Sequence, residues 1–206
     1  MDKDRREFLR KGAFGLGACC LMAVGGGFRR LMAKDFDISV FKFKKREDFP
    51  VKEARYYKKL EAKRIECELC PQGCKVADLE RGTCGVRENR DGVYYTLVHS
   101  RPCSLHIDPI EKKPLFHYLP GSVALSVATA GCNIECKFCQ NWEISQFRPE
   151  QVKSIYLSPD KLAQLAKQYS CPTISYTYSE PVIFYEYVYD TAVEAKKLGI
   201  GNMIVS

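Results

Sequence analysis

The hydrophobic pattern of the chain becomes regular at about residue 123. Val123 to Ala130 alternates larger and smaller residues, which predicts a strand. Ser158-Pro159-Asp160 then has the residue types of a helix start, with serine as the cap and proline in the first turn. The apolar residues that follow recur at helical spacing, at Leu162, Leu165, Ala166 and Tyr169.

The pattern continues with two further strands and one further helix. Pro172 to Tyr178 predicts the second strand, and residues 181–198 predict a helix that ends at Gly199. Asn202 to Ser206 begins a third strand. The order β-α-β-α-β predicts a parallel sheet with right-handed crossovers. We therefore expect an α/β fold and interpret residues 119–206 as the N-terminal half of a (β/α) barrel, truncated after strand three.

The chain before this region has a less regular pattern. Mixed tyrosine, leucine and lysine positions predict a short helix from Val51 to Arg64, within a basic linker of residues 35–64. Gly92 to Val98 predicts a strand, with Asn89 to Gly92 as its hairpin turn. Residues 65–118 are therefore expected to form a small β-rich module.

The first 34 residues predict a targeting segment. Asp4 to Lys11 resembles a twin-arginine export signal, and the glycine-rich stretch Gly12 to Phe28 is too short for a confident membrane span. Ala23-Val24-Gly25 would be a cleavage site. Leu16 to Cys19 resembles a lipoprotein box, which would make Cys19 a lipid-bearing residue. Export, membrane anchoring and a cytoplasmic location with an inactive signal all stay open.

The net charge of +7 is unevenly distributed. Residues 1–64 carry 18 Lys/Arg and nine Asp/Glu, whereas residues 65–206 carry 14 and 16. A nucleic-acid-binding domain needs basic charge on its folded part. We therefore expect no nucleic-acid partner.

The candidate chemistry lies in 11 cysteines, which fall in tight clusters typical of metal binding. Cys132, Cys136 and Cys139 form C-x3-C-x2-C directly after the first predicted strand. Three thiolates can hold three irons of a 4Fe–4S cluster and leave the fourth iron open. Structural zinc needs four ligands, and no Cys or His follows Cys139 until Cys171.

A second cysteine group has the spacing C-x2-C-x3-C-x9-C, at Cys67, Cys70, Cys74 and Cys84. Four thiolates fit tetrahedral zinc and a fully ligated iron–sulfur cluster equally well. The alternative is a set of reduced or disulfide-paired thiols in an exported protein. We predict a second metal centre here, zinc or iron–sulfur.

The predicted strand ends bring the candidate residues together. In (β/α) barrels the active site lies at the C-terminal ends of the strands. The three-cysteine run follows strand one, Ser179-Glu180-Pro181 follows strand two, and Ser206 ends strand three. All three are therefore expected on one rim.

Five runs of the chain carry a resemblance to a known enzyme family. They are Cys67-Glu-Leu-Cys-Pro, Asp108-Pro-Ile-Glu-Lys-Lys-Pro-Leu, Pro120-Gly-Ser, Gly131-Cys-Asn through Cys139-Gln-Asn-Trp142, and Tyr176-Thr-Tyr-Ser-Glu-Pro181. With these runs, residues 67–206 resemble the radical S-adenosylmethionine (SAM) enzyme of the AmmeMemoRadiSam system, which is similar to pyruvate formate-lyase-activating enzymes.

The resemblance implies that SAM binds at the open iron of the 4Fe–4S cluster. One-electron reduction would cleave it to methionine and a 5′-deoxyadenosyl radical, which abstracts hydrogen from a substrate. The implied cofactor contacts are Phe138, near the adenine, with Tyr178, Glu180 and Ser206. Activating enzymes have two glycines before the acid that holds the methionine amino group, and Tyr178 and Ser179 stand at those two positions here. The resemblance therefore assigns the role of that acid to Glu180, and this is its most direct assignment. No catalytic residue is implied beyond the cluster.

The implied partners are a low-potential electron donor and a protein substrate, with Memo-like and AMMECR-like proteins as associates. Two other classes stay open: a non-enzymatic iron–sulfur electron carrier and a zinc-bound interaction module. An electron carrier needs four ligands for each cluster, and the C-x3-C-x2-C group offers three.

Overall fold

The structure is a computed structural model that describes residues 51–206, all within one compact unit, Phe36–Ser206. The predicted targeting segment with its cleavage and lipidation sites, and residues 35–50 of the linker, lie outside the described residues. Within residues 51–206, no helix is long and apolar enough to cross a membrane.

The described residues form ten strands, three α-helices and short 3-10 helices. The strands are β1 (Lys52–Glu53), β2 (Tyr57–Lys59), β3 (Ile65–Cys67), β4 (Lys75–Val76), β5 (Arg87–Arg90), β6 (Val93–Thr96), β7 (Pro102–Pro109), β8 (Val123–Thr129), β9 (Thr173–Tyr176) and β10 (Gly201–Ile204). The α-helices are α1 (Trp142–Ser145), α2 (Pro159–Gln168) and α3 (Tyr185–Lys197), and 3-10 helices span Ile110–Lys112 and Pro181–Phe184.

The main sheet has the strand order β10-β9-β8-β7. Strands β8, β9 and β10 are parallel, with α2 and α3 in the two connections, as the sequence predicts. Strand β7 is antiparallel to β8 and was not predicted. Its sequence begins and ends with proline and contains polar residues, a composition that disfavours a strand prediction. The α/β class is confirmed, whereas a partial barrel and a separate cysteine-bound module stay predictions.

The two faces of the main sheet differ in polarity. One face packs its large apolar side chains against α2 and α3, with Leu125, Val127 and Ile174 fully buried in the main core. Successive residues of a strand point to opposite faces. The other face therefore carries Ser126 and Ser175, which are paired in register and also fully buried. Polar side chains so far from water need partners, and this face supplies one of the sites described below.

The helix predicted from Val51 to Arg64 is wrong, because these residues form β1 and β2. Strand β1 pairs with β6, and the Ala54 backbone N–H donates to the carbonyl of Tyr94 at 2.8 Å. Strand β2 pairs with β3, and Tyr56 between them has a φ of +57°, which a helix does not permit. Strand pairing, over about 40 positions for β1 and ten or fewer for β2, overrides the local helical preference.

The hairpin predicted at Asn89 to Gly92 is confirmed between β5 and β6. Asp91 and Gly92 both have positive φ, +55° and +77°, which is typical of the type I′ turn that suits a two-residue hairpin. Strand β5 is anchored to α3 by a fully buried ion pair between Arg87 and Glu186. The second oxygen of Glu186 accepts the backbone N–H of Arg55 at 2.7 Å. The β-rich part and the main sheet are therefore joined through shared buried charges.

Candidate functional site

The three-cysteine run forms the loop that follows β8. Its start is fixed by Gly131, whose N–H donates to the carbonyl of Ile144 in α1 at 2.8 Å. Its end is fixed by Cys139, whose Sγ lies 3.1 Å from the hydroxyl of Ser145 in the same helix. Cys132 and Cys139 are half-buried, and Cys136 is exposed. The short helix α1, which the sequence did not predict, therefore holds both ends of the loop.

The thiols on this loop are free, as are all nine cysteines of the described residues. Within residues 51–206, no three Cys, His, Asp or Glu side chains lie close enough together to hold a metal ion. The structure thus brings Cys132, Cys136 and Cys139 onto one loop without bringing their sulfurs together. Three soft thiols on an accessible loop are still a donor set that suits iron–sulfur clusters.

The second rim loop follows β9 and contacts the first. The hydroxyl of Ser179 donates to the carbonyl of Thr129, the last residue of β8, at 2.9 Å. The amide of Asn141 donates to the carbonyl of Tyr178 at 3.0 Å. Residues that follow two different strands are therefore adjacent, as the position of strand ends in a parallel sheet predicts.

Glu180 and Ser206 come together on this rim. The Ser206 hydroxyl donates to Oε2 of Glu180 at 2.9 Å, and the backbone N–H of Val182 donates to Oε1 at 3.3 Å. Glu180 is 8% exposed. The carboxylate therefore caps the 3-10 helix that follows and also meets the end of the third parallel strand.

The other two predicted cofactor contacts are placed differently. Phe138 is 91% exposed and does not pack against the protein core. The hydroxyl of Tyr178 donates to the carboxylate of Asp108 in β7, so its side chain lies on the polar face of the sheet. Sequence reasoning did not foresee this, because Asp108 precedes Tyr178 by 70 positions.

The match to known families covers this rim. Residues 126–206 match the Radical SAM superfamily. This region is a radical SAM domain. The match implies a 4Fe–4S cluster and SAM as cofactors and supports a radical SAM function in general terms.

The similarity to a curated relative covers more of the chain than residues 126–206. An uncharacterized protein of Methanocaldococcus jannaschii is 45% identical over 156 residues, which are 76% of this chain and 47% of the relative. The chain thus spans about half the length of that relative. No solved structure matches the chain.

The second cysteine group lies outside the radical SAM domain and lines a single small cavity of about 10 Å³. Its four members are Cys67, Cys70, Cys74 and Cys84. The backbone N–H of Thr83 points at the sulfur of Cys74, 3.5 Å away. Burial raises the pKa of the Cys84 thiol to about 11 and also raises that of Cys67. A metal ion would therefore have to displace protons from these thiols at neutral pH.

A buried cation borders the same cavity. Arg87 is 1% exposed and lines it, and among residues 51–206 Nη1 of its guanidinium has no hydrogen-bond partner. Buried donors are rarely left without a partner. A thiolate sulfur carries negative charge and accepts such a donor, so the charge at this cavity suits a thiolate centre.

The two segments that carry the cysteine groups are in direct contact. Gly131 has a φ of +86°, and a Cβ built there would lie 2.3 Å from Cγ1 of Val86 and 2.6 Å from the carbonyl oxygen of Cys84. The side-chain amide of Gln72 donates to the carbonyl of Asn133 at 3.1 Å. The loop of the radical SAM domain is therefore seated on the backbone of the four-cysteine segment.

A polar cavity of about 810 Å³ lies beside Cys132. Residues 79–85 and 145–148 supply most of its walls, together with Glu88 and Glu135. Arg81 in its wall binds Glu150 through two bonds of 2.8 and 2.9 Å. Sequence reasoning did not find this cavity, because its walls come from segments that are distant along the chain.

The close packing of Gly131 against Val86 and Cys84 predicts the effect of adding a methyl group at this position. Gly131→Ala should lower the free energy of unfolding by about 2–5 kcal/mol, because it adds left-handed backbone strain to a clash with Val86 and the Cys84 carbonyl. Gly121→Ala is the matched control, since Gly121 has a φ of +74° and no atom of the described part of the chain lies within 4 Å of its added Cβ. The control should cost about 1–2 kcal/mol. Equal losses in denaturant titrations of the two variants would contradict the close contact.

Proposed function

We propose that the chain is a radical SAM enzyme in which Cys132, Cys136 and Cys139 ligate a 4Fe–4S cluster. The observation that carries the proposal is the position of their loop, which is hydrogen-bonded to the loop that leads to Glu180. Three thiols leave one iron of a cluster open, and a carboxylate on the same rim gives that site a partner for the amino group of SAM.

Held by Cys132, Cys136 and Cys139, the cluster would supply one electron to the SAM sulfonium for cleavage of its S–C5′ bond, the radical chemistry that would take hydrogen from the substrate. The chain's own residues bind and orient. Glu180 accepts the methionine ammonium in place of the Ser206 hydroxyl, and Ser206 stays at the edge of that site. Phe138 offers an exposed aromatic ring for the adenine.

We further propose the activating-enzyme-like subtype of the AmmeMemoRadiSam system, with a partner protein as substrate and a low-potential electron donor. The sequence resemblance supports this subtype. Around the loop, Ile134, Phe138 and Trp142 are about half exposed or more, and the large cavity beside Cys132 is polar. A surface that combines exposed apolar side chains with an open cavity suits a protein segment better than a small metabolite. The twin-arginine-type signal adds export or membrane anchoring to the proposal.

The four-cysteine group is proposed as a second metal centre. The cavity of about 10 Å³ is near the lower limit for one water-sized sphere. Among the two alternatives, zinc and iron–sulfur, this size favours a single zinc ion. The unpartnered Nη1 of Arg87 supports thiolate ligands there.

Removing one predicted cluster ligand should separate the two centres. Cys136→Ala should lose the cluster and abolish 5′-deoxyadenosine formation under dithionite, and it should keep the metal at the four-cysteine group. Cys136 is exposed, so its truncation should leave the fold intact, which circular dichroism checks. A variant that still produces 5′-deoxyadenosine would show that the three cysteines are wrongly assigned.

Neutralising the rim carboxylate should weaken SAM binding without affecting iron content. Glu180→Gln keeps an oxygen that can cap Val182 but loses the charge, so the affinity for SAM should fall about tenfold. Glu194→Gln, on the outer surface of α3, is the control and should bind as the wild type does. Equilibrium binding of SAM by both variants measures the effect. An unchanged affinity in Glu180→Gln would reduce Glu180 to a helix-capping residue.

The second centre should bind zinc independently of the cluster. The triple variant of Cys132, Cys136 and Cys139 to Ala should retain one zinc per chain and no iron by elemental analysis. Adding Cys70→Ala to it should lower zinc below half an equivalent, because three thiolates leave the tetrahedral site open. Iron in place of zinc, or no metal in the triple variant, would contradict a single-ion site.

A further inference from the structure

The backbone of Tyr178 is strained at the centre of the rim. Its φ is +69°, a left-handed conformation that costs an L-residue with a side chain free energy and is uncommon for a bulky aromatic. Such residues persist only where the surroundings hold them. Tyr178 lies between the end of β9 and Glu180, so whatever holds it also sets the position of Glu180.

The anchor of Tyr178 is Asp108, a carboxylate that is 6% exposed on the polar face of the sheet. Oδ2 of Asp108 accepts the Tyr178 hydroxyl, Nζ of Lys113 at 2.7 Å and the Ser126 hydroxyl at 2.7 Å. Oδ1 accepts Nζ of Lys112 at 2.8 Å. Burial alone would raise the pKa of Asp108, but these four donors together hold it well below its usual range. The anchor is therefore an ionised acceptor that makes strong, charge-assisted bonds.

The ring of Tyr178 is fixed as well as its hydroxyl. Nζ of Lys113 lies 4.7 Å from the ring centroid, and the ring of His106 meets it edge-on at 5.8 Å. A cation at this distance from an aromatic face is attracted to it. Lys113 is buried and holds Tyr178 in two ways. Its Nζ binds the Asp108 carboxylate that accepts the Tyr178 hydroxyl, and the same atom lies over the Tyr178 ring.

Hydrogen bonds hold each residue from Tyr178 to Glu180. The Tyr178 carbonyl accepts from Asn141, the Ser179 hydroxyl donates to Thr129, and the Glu180 carboxylate accepts from Ser206. We propose that Asp108 is a positioning residue for SAM: by holding the Tyr178 hydroxyl beneath the rim, it fixes the turn that presents Glu180. This inference rests on the proposed function and gives Tyr178 a role through its backbone rather than through contact with the cofactor.

The chain contains a matched control for this tether. Ser126 donates to the same Oδ2 atom as Tyr178, at 2.7 Å, but it lies within β8 and outside the rim loop. Its hydroxyl is also within hydrogen-bonding reach of the Tyr178 hydroxyl, and Ser126→Ala leaves the bond from Tyr178 to Asp108 in place. Tyr178→Phe and Ser126→Ala each remove one hydroxyl from one carboxylate. If Asp108 only stabilises the fold, the two variants should behave alike. If it positions the rim, only Tyr178→Phe should affect SAM.

The first measurement is steady-state SAM cleavage by the cluster-loaded chain. Tyr178→Phe should raise the KM for SAM about tenfold, because the acid is no longer held in place, with iron content unchanged and a smaller effect on kcat. Ser126→Ala should keep the wild-type KM, while both variants show similar small losses in melting temperature. Equal KM values in the two variants would overturn the inference.

The second measurement needs no SAM and separates this inference from the proposed function. Amide hydrogen exchange across residues 177–182 should be faster in Tyr178→Phe than in the wild type and unchanged in Ser126→Ala. Unchanged exchange in Tyr178→Phe would overturn the tether, even in a protein that cleaves SAM. A wild-type protein that loads iron but does not bind SAM would overturn the proposed function and with it the role of Asp108 toward SAM.

Discussion

The close approach of Gly131 to the backbone of Cys84 is the contact on which the arrangement of the site depends. There is no room for a side chain at this position, and the backbone is in a conformation that favours glycine. The contact seats the first residue of the three-cysteine loop on the four-cysteine segment. Because β8 ends just before Gly131, the main sheet, the loop and the second cysteine group share one junction.

The two cysteine groups have different surroundings. Cys136 is exposed on its loop, whereas Cys67 is buried at the end of β3 and lines a small cavity with three other thiols. An accessible set of three thiols suits a centre that must admit a second ligand. Four thiols match the ligand number of a structural metal centre, but within residues 51–206 their sulfurs, like those of the three-cysteine loop, are not gathered closely enough to hold a metal ion. The close approach of Gly131 to Cys84 joins the two cysteine-bearing segments.

The regular parts of the fold could be predicted because their signals are local. The alternation in β8 and the helical spacing in α2 are both contained within about ten residues, and the parallel order follows from their sequence. The helix expected from Val51 to Arg64 was wrong because strand β1 depends on pairing with β6, far along the chain. Strand β7 was missed because it begins and ends with proline and carries polar residues, one of which, Asp108, is buried on the polar face of the sheet.

The site was predictable to the extent that it depends on strand ends. The rule that loops after parallel strands share an edge was enough to expect Glu180 near Ser206, and the two are hydrogen-bonded. The orientation of Tyr178 was not predictable, because it depends on the buried carboxylate of Asp108 in a strand that no local pattern indicated. The cavity beside Cys132 was not predicted either, because its walls come from segments that are distant along the chain.

The most direct test of the account is the electron paramagnetic resonance spectrum of the reconstituted, reduced chain with and without SAM. If Cys132, Cys136 and Cys139 leave one iron open, SAM binds that iron and changes the spectrum of the cluster. A 4Fe–4S signal that SAM leaves unchanged would indicate a fully ligated, electron-carrying cluster and would contradict the proposed enzyme.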